Sequence, residues 1–438
     1  AGVLSGGTQL GGGGSRGVSM RGPSSEITTA GGDIEITGTS NGVNGLNSVS
    51  QGIQLGGESS VTATGAGAIT LNGTGGMAVG GSGTSNSWSV GVDLAGSEVE
   101  GSPEIFSISA ENGNIGITGT GGQASGFSAR SQGTSIGENV SLSSTGTGSI
   151  IINGLGGAVS GGDLTYPVQS EGTVIRANGG YSSEISASGG AIQINGTGGA
   201  VNSTGGSTGL RVGGDVKIAN TDNGLIALSG TGGPAMGTGA AGTWSHGLRI
   251  AGDTNESSFV QIEAVDGLIS LGGNGGAASG ESASSSGTEI GSAVDITSLG
   301  TGGIVVQGTG GTFSGSGTDS TGFSQGLSIS SEGTTFFDAS GGDILFIGNG
   351  GNVTADDGTS QGLSINGELF ISNTGAGQVS LSGIGGDVFG TGPASVSWSN
   401  GVTLSGEESM YGTGVFDVST VDGMIDVKAV SYTHLRAH

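Results

Sequence analysis

The chain has 438 residues, 104 of them Gly and 5 Pro, with 4% aromatic and 10% charged side chains. Gly near a quarter without a strict three-residue period excludes collagen, and a mean hydropathy of +0.08 with apolar residues at alternating positions argues against a disordered tract. A formal charge of −26 disfavours nucleic acid and anionic membranes, no apolar run is long enough to cross a bilayer as a helix, and the absence of Cys excludes disulfides and thiolate metal sites.

The chain opens at Ala1 inside a partial repeat, so the expected organisation is one repeat domain over 1–429, incomplete at both ends. A short phrase of the form Gly-x-Ile-x-Leu-x-Gly-x-Gly-Gly then recurs, as in GAITLNGTGG at 67–76, GAIQINGTGG at 190–199 and GLIALSGTGG at 224–233. Its first apolar residues are Ile34, Ile69, Ile115, Ile150, Ile192, Ile226, Ile269, Ile304, Ile344, Val379 and Ile425. The intervals are 35, 46, 35, 42, 34, 43, 35, 40, 35 and 46 residues, so short and long units alternate. A second apolar residue two positions on gives the period of a strand with one buried face. Gly two before and four after the first Ile reads as provision for positive φ at sharp corners.

A second strand follows in each unit, as QGIQL at 51–55, VGVDL at 90–94 and HGLRI at 246–250. A third closes it, as FSISAENG at 106–113 and VQIEAVDG at 260–267. Three strands per unit with no helical stretch predict an all-β fold, a right-handed parallel β-helix of about ten coils. One unit is expected to make one coil, with the weakly patterned Gly- and Ser-rich stretch after each phrase as a protruding loop. Val430–His438 breaks the composition and resembles a translated sequencing adapter, so 430–438 is expected to be a non-native tail.

Three surface columns follow from stacking. Glu58, Asp215, Asp253, Glu332, Glu368 and Glu407 stand three residues after the second apolar residue of the middle strand, with Glu98 and Glu138 one place off. Stacked on one corner they would form a solvated acidic edge or, alternatively, hold calcium between neighbouring coils. Long units carry an aromatic three residues before the middle-strand Gly, namely Trp88, Trp244, Phe323 and Trp398, while the remaining long unit has Tyr166 shifted by three places. These rings would anchor the longer loop, or stack sugars at every second coil, about 10 Å apart. Arg211, Arg249 and Glu289 share a third column and read as a short ion-pair ladder.

Catalysis finds little support. The two Lys, Lys217 and Lys428, sit in no recognisable cluster, and outside the tail His246 is the single His, which argues against a triad. Asp356 and Asp357 are adjacent in a predicted loop rather than placed as a glycosidase pair. No resident cofactor is expected apart from the calcium alternative.

The repeat grammar over about 17–429 resembles the Gly-rich strand repeats of secreted bacterial surface proteins, the filamentous-haemagglutinin-type adhesins and autotransporter passengers. The resemblance implies an extracellular or cell-surface location, a non-catalytic stalk, and host or matrix glycans or proteins as partners. It also implies that the export or translocator domain lies elsewhere and that this segment does not insert into a membrane. The alternative of a different class is a carbohydrate-active β-helix, a polysaccharide lyase, hydrolase or tailspike.

Overall fold

The computed structural model describes residues 2–4, 8–10, 13–22, 24–80, 86–96, 104–162, 166–237, 242–252, 258–315, 320–390, 397–405, 408–409, 412–413 and 415–431. Every described regular element is a strand. The phrase strands form one twelve-stranded parallel sheet in sequence order. Ile69 pairs with Ile34 on one side and Ile115 on the other, and the same register runs on through Ile150, Ile192 and Ile226 to Ile425. Each unit is therefore one coil of a parallel β-helix, and unequal unit lengths are absorbed between strands without slipping the register.

One coil shows how sequence becomes core. Its phrase strand is Ile69–Thr74, its middle strand Asn86–Ala95 and its third strand Phe106–Ala110. Ile69 and Leu71 from the first, Val92 and Leu94 from the second, and Phe106 and Ile108 from the third are fully buried in one continuous cluster. Each such side chain contributes roughly 1.5–3 kcal/mol of burial, repeated in every coil. Where Thr replaces the aliphatic residue, its hydroxyl is satisfied inside. Thr134, Thr173 and Thr288 donate to the carbonyls of Asn153, Asn195 and Gln307 at 2.8, 2.7 and 2.5 Å.

The stretch after each phrase corrects the loop expectation. It carries a short fourth strand, such as Ala78–Gly80 or Ala278–Gly280, which pairs with its equivalents above and below. These strands pack on the first half of the middle strand and enclose two smaller apolar clusters. One holds Ala124, Ala129, Val159, Val168, Val201 and Ala235, and the other is built around Phe313 and Val353. The cross-section thus has two lobes. Much of the extra length of the long units falls just past the short strand: five residues separate Gly80 from Asn86, against two between Gly45 and Ser48.

A glycine waist separates the lobes. A Cβ on Gly73 of the phrase would fall on the Gly91 carbonyl oxygen, and one on Gly91 would meet Thr120 N and the Gly133 carbonyl. Gly119 with Gly133, Gly154 with Gly172 and Gly230 with Gly247 repeat the contact. None of these glycines has a left-handed φ, and neither does the Gly that opens each phrase. The corner explanation is therefore replaced: glycine recurs because two backbones touch, which no side chain permits. Left-handed φ occurs elsewhere, for example at Gly65 and Gly300 just before a phrase.

A buried serine ladder lies against this waist. Ser15, Ser50, Ser89, Ser131, Ser170, Ser207, Ser245, Ser285, Ser324, Ser360 and Ser399 each stand two residues before the middle-strand Gly and are buried. Ser245 Oγ donates to the Gly233 carbonyl at 2.8 Å and accepts from Gly276 N–H, one coil on, at 2.8 Å. Ser89, Ser131, Ser170, Ser285, Ser324 and Ser360 make the same pair of bonds. Each hydroxyl thus satisfies buried Gly-Gly backbone that turns away from both ladders.

Candidate functional site: the outer face of the middle strand

Residues that alternate outward from the middle strand form columns along the helix axis, and the aromatic column is continuous in register. It runs Gly14, Val49, Trp88, Arg130, Gln169, Gly206, Trp244, Ser284, Phe323, Thr359 and Trp398. Trp244, Phe323 and Trp398 therefore stand at every second coil, about 10 Å apart, with small Ser284 and Thr359 between them. Phe323 is 49% and Trp398 59% exposed. Trp244 is half-buried because its indole lies over Gly206, in space that a Cβ there would occupy. Trp88, also half-buried, is four coils from Trp244 and donates from Nε1 to Gln132 Oε1 at 3.1 Å. Tyr166 is outside the column and packs on Phe127 with ring centroids 4.5 Å apart and planes tilted by 43°.

Among the described residues the acidic corner is not assembled as a ladder. Asp253 and Glu407 lie outside the described residues. For Glu332 the described part is its backbone, within the irregularity between Ser331 and Thr335. Extending the third-strand register by one or two residues puts Ile105, Asn139 and Ser182 between Glu58 and Asp215. Phe259, Ala293 and Thr334 follow Asp215 before Glu368 is reached. Successive described acids are thus four coils, or about 19 Å, apart. Among the described residues no group of three or more His, Asp or Glu is placed to hold a metal ion. Variable corner residues are the reason: the sequence offset is kept, but among the described acids only every fourth coil carries one.

Charged side chains concentrate farther along the same strand. Arg211, Arg249 and Glu289 share a column in consecutive coils, as their spacing predicts. Arg249 Nε lies 3.2 Å from Glu289 Oε1, whereas Arg211 turns to Glu171, with Nη1 3.6 Å from Oε1. His246 packs beside them, buried, and its Nδ1, 3.6 Å from Glu289 Oε2, makes no hydrogen bond among the described residues. Burial holds its pKa below the ordinary imidazole value; Glu289 opposes this and Arg249 and Arg211 reinforce it.

Nearer the start of the chain Asp93 is 7% exposed and accepts from Gln51 Nε2 at 2.6 Å and Gln54 Nε2 at 3.4 Å. Its burial pushes the carboxyl up, against the hydrogen bond from Gln54 and the charges of Arg21 and Arg16.

Between Arg176, Asn178, Gly214, Arg211 and Arg249 the face opens into a cavity of about 180 Å³. It forms where residues 178–181 bulge out, because the ladder between Val168–Ala187 and Gly205–Asn220 skips from Ala177 to Ser182. Arg176 and Asn178 are absent from every sequence-based site above. The signal available was the crowding of four of the nine Lys and Arg, at 176, 211, 217 and 249, into three units. Comparison of the chain with protein-family models, with curated proteins and with solved structures returns no match.

Proposed function

We propose that this chain is the rod of an adhesin-like protein of a bacterial surface, extracellular, structural and binding rather than catalytic. It presents the outer face of its middle strands for weak, repeated contact with saccharide chains. The observation that carries this reading is the aromatic column: Trp244, Phe323 and Trp398 hold one register position at alternate coils, and Phe323 and Trp398 are exposed although large apolar rings are ordinarily buried. A file of rings at a fixed interval suits a polymeric ligand, since several weak stackings on one chain multiply through effective concentration. The uninterrupted register of the phrase sheet supports the structural half of the proposal, because the coils from Ile34 to Leu381 repeat the same interior.

The experiment is a titration of the chain with neutral oligosaccharides of increasing length, followed by tryptophan fluorescence. Affinity should rise with length, and Trp398→Ala or Phe323→Ala should lower it several-fold with the fold intact. Affinity independent of length, or unchanged in both variants, contradicts the reading.

A further inference from the structure

The chain carries 35 Asp and Glu against 9 Lys and Arg, yet three guanidinium groups line one cavity. Two of them are compensated at its flanks, Arg211 by Glu171 and Arg249 by Glu289. Arg176 is not: among the described residues no carboxylate lies within 4 Å of it, and its Nε donates to Asn178 Oδ1 at 3.0 Å. Glu138 reaches only the other end of that amide, accepting from Asn178 Nδ2 at 3.5 Å. Arg176 thus faces the recess with Glu138 held off behind the Asn178 amide, and the recess is large enough for a small oxyanion. Planar guanidinium forks match a carboxylate, and Arg211 and Arg249 each already hold one through a single contact, to Glu171 and Glu289.

We infer that this cavity receives the carboxylate of an acidic saccharide, with Arg176 supplying the free charge and Arg211 and Arg249 the floor. Trp244 lies five residues back along the strand of Arg249, on the same outer face and about 17 Å away. An oligosaccharide can bridge that span from carboxylate to ring. The saccharide class rests on the aromatic-column reading; the anion receptor does not.

Calorimetric titration of the whole chain with oligogalacturonate, its methyl-esterified counterpart and a sulfated oligosaccharide tests the assignment. The free acid should bind tightest, and Arg176→Gln should weaken it about tenfold or more, the worth of a charge-assisted hydrogen bond. Binding of the ester should not respond to Arg176→Gln. Arg176 is exposed, so the urea midpoint of the variant should match that of the parent chain. Equal binding of acid and ester, or acid binding untouched by Arg176→Gln, overturns the cavity assignment. If Trp398→Ala still lowers both affinities in that case, the aromatic column survives alone. Sulfated and carboxylated chains lost equally in Arg176→Gln would overturn the choice of a carboxylate, and no binding by any of the three overturns cavity and column together.

Discussion

At the scale of single residues, polar side chains inside this rod act through backbone they satisfy. Ser245→Ala leaves the Gly233 carbonyl and Gly276 N–H without their shared partner in a buried place. It should cost about 1–3 kcal/mol in urea unfolding, as unsatisfied buried groups do. A change near zero would mean that water replaces the hydroxyl. Asp93 behaves in the opposite sense. A carboxyl whose folded pKa is raised binds more protons in the native state, so its contribution is present below the ordinary value near 3.8 and is lost as pH rises through the folded pKa. Asp93→Asn should therefore raise the urea midpoint at pH 7 and make no difference below pH 3.8; equal effects at both pH values contradict the assignment. His246 loses stability on the acid side: its folded pKa is lowered, so the contribution is whole above about 6.5 and fades as pH falls below it. His246→Gln should flatten the stability–pH curve in that window. The serine ladder was legible, since Ser stands two before the middle-strand Gly in all eleven copies. It does not stand out because Ser is abundant in this chain and a period of two is carried by the apolar residues.

At the scale of the strand, the aliphatic columns were readable and the glycines were misread. Ile, Leu and Val at alternating sites announce a buried face, and from Ile34 to Leu381 they lie in one buried cluster, whereas Ile425 and Val427 of the last described coil are exposed. Glycine at a fixed offset has two physical causes, φ and close approach, and one sequence does not separate them. Here contact wins at the waist. Gly91→Ala should destabilise by about 3 kcal/mol, the upper range of over-packing, because the obstacle is backbone that cannot move aside. Gly116→Ala supplies the control: it lies in a phrase strand with nothing nearer than 4.0 Å, so Ala should be neutral or gain about 0.5–1 kcal/mol of backbone entropy. Equal losses in urea melts of the two variants would rule out a waist. The short fourth strand was invisible for a related reason. Three-residue segments such as Ala-Val-Gly carry too little alternation to stand out from a Gly- and Ser-rich background.

For the whole molecule, the candidate surface depends on which residues share a column. The aromatic file was predictable because it keeps its offset from the invariant middle-strand Gly. The cavity at Arg176 was not, because it arises from a four-residue bulge that shifts register between two neighbouring coils. Both rest on each unit advancing the rod by one strand spacing. Arg130 and Thr359 occupy the same column six coils apart. The chain has no Cys, so Arg130→Cys with Thr359→Cys can be spin-labelled without background. Pulsed dipolar spectroscopy should give one narrow distance distribution near 29 Å, six intervals of about 4.8 Å. A peak near 58 Å, two spacings per unit, or a broad distribution with no peak would contradict the stacked arrangement.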